Sequence, residues 1–142
     1  MILGIGTDII EVARFKRWSD YSYDSLLKIF SEQELAACLR KNSGKITTYH
    51  SEKLAARFAA KEAFYKALSV ALVNLKKTQR SFSFLSVARH IHVSEGEWGV
   101  PLLVVDWSVI SHLIADELPT FSVQLSLAHE KEYAVAFVII SL

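Results

Sequence analysis

The chain has 142 residues, a net charge of +1 at pH 7 and one cysteine, Cys38. This length suits a single domain with a hydrophobic core, and so small a net charge disfavours a nucleic-acid-binding protein. The lone cysteine excludes an internal disulfide, disfavours a thiolate metal site and is typical of a reducing compartment. We expect one cytoplasmic domain over residues 1–142 with no membrane-spanning segment, because the longest uncharged apolar run covers only residues 134–140.

Residues 2–5 predict a short buried strand, in which Gly4 and the nearby Gly6 permit close approach of another backbone. Asp8 follows just past the end of this predicted strand, at a place where α/β-type folds commonly present polar functional groups. Taken alone, Asp8 is explained more simply by a turn or a helix cap.

A helix is predicted after Asp8, with its aromatic side chains packed inward. Its basic side chains form a small group that we call the basic cluster: Arg14, Lys16 and Arg17. The residues alone leave two interpretations open, a solvated helix face or a surface for an acidic partner.

Ser31 and Glu34 form a capping-box pattern, which predicts a helix that runs to about residue 40 and is ended by residues 42–44. A long helix over about residues 51–72 follows. Its segment 54–68, LAARFAAKEAFYKAL, is apolar on nearly every side and is therefore expected to be packed on most of them.

The long helix carries Glu62 and Lys66 four residues apart on one face. In a helix packed on most sides, a partly buried carboxylate needs a cation or hydrogen-bond donors to stay ionised. An ordinary helix pair of Glu and Lys is the alternative, and this segment alone favours it. Together with Asp8, however, the two residues suit a magnesium–phosphate site, since Mg²⁺ takes one or two carboxylates and substrate phosphates.

The second half of the chain predicts mainly strands. Strands are expected over 89–94 and 102–105, then an amphipathic helix over 109–118, then strands over 121–127 and 132–140. The last two strands form a hairpin that places His129 in its turn. The predicted fold class is α+β, a long helix packed on a mainly antiparallel sheet in a single small domain.

Three motifs, taken together, resemble one known family. They are GIGTDIIEVAR at 4–14, RFAAKEAFYKAL at 57–68 and SLAHEKEYAVA at 126–136. In this order, and over nearly the whole chain, they are similar to the holo-[acyl-carrier-protein] synthases, the phosphopantetheinyl transferases of fatty-acid synthesis. Each motif alone is weak, whereas the set is specific. The resemblance implies the 4'-phosphopantetheinyl transferase-like fold.

The resemblance implies an enzyme that moves the 4'-phosphopantetheine arm of coenzyme A (CoA) onto a serine of apo acyl-carrier protein and releases adenosine 3',5'-bisphosphate. Asp8 and Glu62 match the family's two metal-ligand positions and would hold Mg²⁺ against the CoA pyrophosphate. Lys66 matches a family lysine beside the phosphates, suited to stabilising charge in the transferring group. The serine proton would pass to Glu62 or to a water, and a carboxylate engaged with a metal is the poorer base.

Other positions are implied to bind the substrate or the partner. His129 matches a histidine associated with the CoA nucleotide, and Arg57 is an additional candidate phosphate contact. Arg14 matches a basic position that meets the acidic recognition helix of the carrier protein. The family also implies a homotrimer with CoA bound between protomers. A trimer suits the high mean hydropathy of +0.25, which a strand-rich core explains equally.

The chain departs from the family's pattern after the second motif. The family usually has a glycine there, followed by a glycine-bearing loop for the CoA phosphates, whereas this chain has Ser69 and no glycine from 70 to 95. Side chains would then take over the phosphate contacts, and the candidates are Lys76, Lys77 and Arg80. Glu130 also places a negative charge directly beside His129.

Two alternatives stay open at this point. The first is another Mg²⁺-dependent phosphate enzyme, a nucleotide phosphohydrolase built around Asp8 and Glu62, which would act on nucleoside polyphosphates without a protein acceptor. The second is a non-catalytic trimeric relative that binds a carrier protein without modifying it. Retention of both carboxylates and of Lys66 argues against the second, because an inactive scaffold has no need for partly buried charge.

Overall fold

The computed structural model describes residues 1–40, 48–77 and 82–142. The strands are β1 (Ile2–Glu11), β2 (Ile91–Glu95), β3 (Pro101–Val105), β4 (Ser122–His129) and β5 (Tyr133–Ser141). The helices are α1 (Tyr23–Leu26), α2 (Glu32–Cys38), α3 (Ser51–Asn74), α4 (Phe84–Ala88) and α5 (Trp107–Ile114), with 3-10 segments at Val12–Asp20 and Glu97–Gly99. Within the described ranges, no helix is long and apolar enough to cross a membrane.

The β part consists of two antiparallel sheets. One has three strands in the order β1-β5-β4, and the other is the β2-β3 hairpin. Helix α3 packs across β1 and β5, with small buried side chains along the contact. They include Ala63, Ala67 and Ala71 on α3, whose backbone lies against Gly4 and Gly6 of β1, and Ala134 and Ala136 on β5. The predicted fold class, a long helix on a mainly antiparallel sheet, is confirmed.

Two glycines explain why α3 lies so close to β1. A Cβ atom on Gly4 would stand 2.0 Å from the carbonyl oxygen of Ala67, and one on Gly6 would stand 2.0 Å from that of Ala63. No side chain fits in either place, so the predicted close approach of a second backbone is confirmed. The approach brings the middle of α3 next to the strand.

Strand β1 is longer than the sequence predicts. It pairs with β5 along its whole length, so Asp8 lies inside the strand, directly opposite Ala136. The prediction that Asp8 follows the end of the strand is therefore wrong. The polar residues Thr7 and Asp8 suggested an end, but the long apolar strand β5 supplies a pairing partner beyond them. Ile5, expected to be buried, is 47% exposed.

Most other predicted elements are confirmed. Helix α2 begins at the predicted capping box: Ser31 Oγ accepts from the Glu34 backbone N–H at 3.1 Å, and Glu34 Oε1 accepts from the Ser31 N–H at 3.0 Å. The predicted helix end at 42–44 lies outside the described residues. The helix expected after Asp8 is the 3-10 segment Val12–Asp20, which buries Phe15 and exposes the basic cluster.

Candidate active site

The first group of candidate residues lies where α3 crosses β1. We call it the carboxylate site, and it consists of Asp8, Glu62 and Lys66. Lys66 Nζ donates to Asp8 Oδ1 at 2.9 Å and to the carbonyl oxygen of Thr7 at 3.0 Å. The ion pair of Lys66 is thus with the strand, not with Glu62 one turn away on its own helix. The ordinary helix pair of Glu62 and Lys66 is therefore not what the structure has.

The charges of this site act on one another. Burial raises the pKa of the Glu62 carboxyl, and the Asp8 carboxylate raises it further, whereas Lys66 and Arg14 lower it. Glu62 and Asp8 are both half-buried, so their repulsion is only partly screened by solvent. A cation placed between the two carboxylates would relieve this repulsion.

The donor set of the carboxylate site fits Mg²⁺. Two carboxylates on rigid elements supply the hard oxygen ligands that this ion prefers, and it ordinarily completes its shell with water and phosphate oxygens. Across residues 1–40, 48–77 and 82–142, no group of three or more His, Cys, Asp or Glu side chains is placed to hold a metal ion. Within these residues the carboxylate site therefore offers two acidic side chains, which is fewer than a closed metal cage uses.

The second group of candidate residues lines a cavity of about 390 Å³, which we call the nucleotide cavity after the ligand that the resemblance implies for Arg57 and His129. Its walls are α2, the N-terminal half of α3, the β2–β3 hairpin and the end of β4. Its basic lining residues are Lys53, Arg57 and His129. Arg57 Nη1 donates to the Lys53 carbonyl oxygen at 3.2 Å, while the buried Arg57 Nε has no hydrogen-bond partner among the described residues. A buried donor without a partner is costly, and an anionic ligand would satisfy it.

The two groups lie on opposite sides of α3. Asp8 is on β1 and His129 is on β4, with β5 between them. His129 is the last residue of β4, paired with Ala134, so its predicted place in the hairpin turn is wrong by one position. Arg57 and Glu62 are five positions apart, which turns them about 140° from each other around the helix. The structure thus brings Asp8, Glu62 and Lys66 together, with Arg14 in electrostatic reach, and it brings Arg57 and His129 together. It does not unite both groups in one site of one chain.

The segment after the second motif differs from a glycine loop. Ser69 continues α3, and its Oγ donates to the carbonyl oxygen of Tyr65 at 2.8 Å. Of the three side chains predicted to contact phosphates there, Lys77 is already paired with Asp116 at 2.7 Å, and Lys76 is exposed. Arg80 lies outside the described residues.

Two features of the site region were not predicted from the sequence. Lys53 lines the nucleotide cavity, although nothing in its surroundings distinguishes it from a surface lysine in the sequence. Lys61 is completely buried and paired with Glu34. A signal for Lys61 was available, since it is a charged residue on a helix that is apolar nearly all round.

Comparisons with known proteins place this geometry in a family. Residues 4–138 match the model of the 4'-phosphopantetheinyl transferase superfamily. The chain is 33% identical to the holo-[acyl-carrier-protein] synthase of Clostridium acetobutylicum, covering 99% of this chain and 98% of that relative. It is 35% identical to the synthase of Treponema pallidum (strain Nichols), covering 99% and 96%.

A solved structure agrees with these relatives. The holo-(acyl-carrier-protein) synthase from Bacillus anthracis, determined in complex with CoA (3',5'-ADP), is similar to this chain with a TM-score of 0.66 and 29% identity. The match covers 99% of this chain and 96% of that one. The order of the three motifs, the fold and these full-length matches agree, and the chain belongs to the 4'-phosphopantetheinyl transferase superfamily.

Proposed function

We propose that the protein is a Mg²⁺-dependent holo-[acyl-carrier-protein] synthase of fatty-acid biosynthesis, acting as one transferase domain over residues 1–142. In the reaction, the hydroxyl oxygen of the carrier serine bonds to the CoA phosphorus that bears pantetheine. The bond from that phosphorus to the bridging oxygen breaks, adenosine 3',5'-bisphosphate leaves, and the serine proton is released. The observation that carries the proposal is the convergence of Asp8, Glu62 and Lys66 where α3 crosses β1.

Asp8 and Glu62 are the proposed metal ligands. When bound there, Mg²⁺ neutralises charge on the pyrophosphate and stabilises the leaving oxygen. The raised pKa of Glu62 supports this role, because the burial and repulsion that raise it would be offset by a divalent cation. Lys66, 49% exposed beside Asp8, is placed to stabilise negative charge on the transferring phosphoryl group.

Arg57 and His129 are the proposed contacts of the CoA nucleotide. The unpartnered Nε of Arg57 and the basic lining of the nucleotide cavity support an anionic ligand there. The carboxylate site lies on the other side of α3, so a CoA molecule that uses both groups would bridge two protomers.

A homotrimer with CoA between protomers is therefore part of the proposal. The three-stranded sheet supports it with an apolar outer face, on which Ile9 is 65% exposed and Phe137 is 43% exposed. On that face, the row that pairs Thr7 with Phe137 lies between two apolar rows, which pair Ile5 with Ile139 and Ile9 with Val135. A second copy of the chain would cover this surface.

The basic cluster is the proposed contact for the carrier protein. Arg14, Lys16 and Arg17 are all exposed, and Arg14 acts electrostatically on Glu62 of the carboxylate site. An acidic carrier helix docked there would have its serine close to the metal ligands, and opposite charges would steer the encounter. The proposed location is the cytoplasm, which suits Cys38, a free buried thiol.

Intact-mass spectrometry tests the reaction. An apo acyl-carrier protein incubated with the protein, CoA and Mg²⁺ should gain the mass of one phosphopantetheine, and EDTA should prevent the gain. Folded protein that leaves several different carrier proteins unchanged would overturn the proposal and favour the non-catalytic alternative.

Mixed assemblies test the shared site. Glu62→Gln removes one half-site and Arg57→Ala removes the other, so each variant alone should transfer poorly. Co-expression of the two should restore part of the activity, because some interfaces then combine an intact carboxylate site with an intact nucleotide cavity. The absence of any recovery in a mixed oligomer would overturn the proposal of a site shared between protomers.

A further inference from the structure

The centre of the protein contains an ion pair that the proposed reaction does not use. Lys61 Nζ lies 2.7 Å from Glu34 Oε1, and both side chains are 0% exposed. Lys61 Nζ also donates to the carbonyl oxygens of Ile29, Ala88 and Ile91 at 2.6, 2.9 and 2.7 Å. Burial lowers the pKa of Lys61, and the Glu34 carboxylate opposes that shift. Desolvation makes such a pair a poor device for stability alone, since apolar side chains of similar volume often serve as well.

The pair closes the outer edge of β2. Strand β2 pairs with β3 on one side, and its other edge presents the N–H of Val93 and the carbonyl of Ile91. Glu34 Oε2 accepts from the Val93 N–H at 3.0 Å, and Lys61 Nζ donates to the Ile91 carbonyl at 2.7 Å. The carboxylate and the ammonium thus take the place of a neighbouring strand, and they satisfy groups that would otherwise be buried without partners.

The same contacts connect three walls of the nucleotide cavity. Glu34 belongs to α2, Lys61 belongs to α3, and the bonded backbone groups belong to β2. Each of these elements also lines the cavity, through Ala37 of α2, Arg57 of α3 and Val93 of β2. Lys61 is turned only about 40° around the helix from Arg57, which places the pair on the nucleotide side of α3.

We propose that Glu34 and Lys61 are positioning residues for the CoA nucleotide, because they fix the β2–β3 hairpin against α2 and α3 at the spacing that the nucleotide cavity requires. This inference rests on the proposed function, since it assigns the cavity to CoA. The two side chains bond to each other and to backbone groups of the cavity walls and not to the side chains of the carboxylate site, so we expect their effect on nucleotide binding rather than on the chemical step.

Three variants test this role. Lys61→Met removes the ammonium while keeping a similar volume. Glu34→Asp is milder, because it keeps both charges but draws the carboxylate back from Lys61 and the Val93 N–H. Leu68→Ala is the control, since Leu68 is fully buried on the same helix about two turns away. The measurements are kcat and the KM for CoA, the Kd of adenosine 3',5'-bisphosphate by calorimetry, and the urea midpoint.

We expect both pair variants to raise the KM for CoA and the Kd of adenosine 3',5'-bisphosphate by roughly ten- to a hundredfold, with kcat at saturating CoA within about threefold of wild type. Leu68→Ala should lower the urea midpoint without changing that KM or Kd. If Lys61→Met does not fold, Glu34→Asp carries the same test.

A purely structural role predicts a different result. The urea midpoint would then fall for the pair variants as for the control, while the KM and Kd of the folded protein stayed at wild-type values; that outcome would overturn the inference. A wild-type protein that neither transfers phosphopantetheine nor binds adenosine 3',5'-bisphosphate would instead refute the proposed function.

Discussion

Lys61 and Glu62 are neighbours in the sequence, yet their charges are treated in opposite ways. Lys61 is fully buried and surrounded by Glu34 and three carbonyl oxygens. Glu62, about 100° further around α3, is half-buried beside Asp8 and has a raised pKa. The charge of Lys61 is fully compensated inside the protein. The charge of Glu62 is undercompensated, because burial and the Asp8 carboxylate outweigh the nearby cations.

This difference suggests different roles for the two residues: Lys61 positions structural elements, and Glu62 takes part in the proposed reaction. A charge with all its hydrogen bonds made inside the protein holds elements in place and has no capacity left for a ligand. A carboxylate that repels a neighbouring carboxylate favours the binding of a cation, because the cation removes the repulsion between them. In our proposal, one turn of α3 therefore carries a residue that shapes the nucleotide cavity and a ligand of the metal site.

The largest expected effect comes from removing the undercompensated charge. Glu62→Ala or Asp8→Ala should lower Mg²⁺-dependent transfer by about a thousandfold, corresponding to several kcal/mol of transition-state stabilisation. Circular dichroism should show that the fold is kept. Transfer is measured by intact mass of the carrier protein, and near-normal transfer by the Glu62 variant would remove the metal assignment.

Removing the compensated charge should lower the stability of the fold, in addition to the weaker nucleotide binding expected above. Lys61→Met leaves Glu34 buried without its counter-charge, which is expected to cost about 3–5 kcal/mol in the free energy of unfolding. Urea unfolding of the variant and of wild type measures this difference. A loss below about 1 kcal/mol would mean that the interior does not depend on the pair.

The third prediction concerns the affinity for the carrier protein. Arg14→Ala is expected to raise the KM for the carrier protein by roughly tenfold and to leave the KM for CoA nearly unchanged, because Arg14 is exposed on the face proposed for the acidic helix. Lys28→Ala, a change at a different exposed basic residue, serves as the control. Equal effects of both changes would show general electrostatics rather than a docking surface.

The smallest effect concerns pH. The folded-state pKa of Glu62 is raised, so its ionisation opposes folding, and the penalty grows as the pH rises through that pKa. Glu62→Gln should therefore raise the Tm at pH 7 slightly, and the gain should vanish below the ordinary Glu pKa of 4.5. Thermal scans at both pH values check this, and an unchanged Tm at pH 7 would show that solvent already compensates the charge.

Much of the fold follows from local patterns. The capping box at Ser31 and Glu34, the apolar helix around Glu62 and the hairpin before Tyr133 were predictable, because each depends on residues close together in the sequence. The extent of β1 was not, since it depends on pairing with a strand more than a hundred residues away. The ion pair of Glu34 with Lys61 was not predictable for the same reason, because the two residues are far apart in the sequence.

The site was predictable only in part. The motifs identified Asp8, Glu62 and Lys66, and the structure places them together. Asp8, Glu62 and Lys66 are separated from Arg57 and His129 because different sides of α3 face different strands. The motifs alone do not show which side of the helix faces which strand. The contact of Lys66 with Asp8 rather than Glu62 likewise depends on the close approach at Gly4 and Gly6.

The most direct measurement is the product balance of the reaction with Mg²⁺ and CoA. Wild-type protein should release one adenosine 3',5'-bisphosphate for each carrier protein modified and none without the carrier, and Glu62→Gln should abolish both products together. Release of the nucleotide without any carrier, or full transfer by the Glu62→Gln variant, would contradict the account.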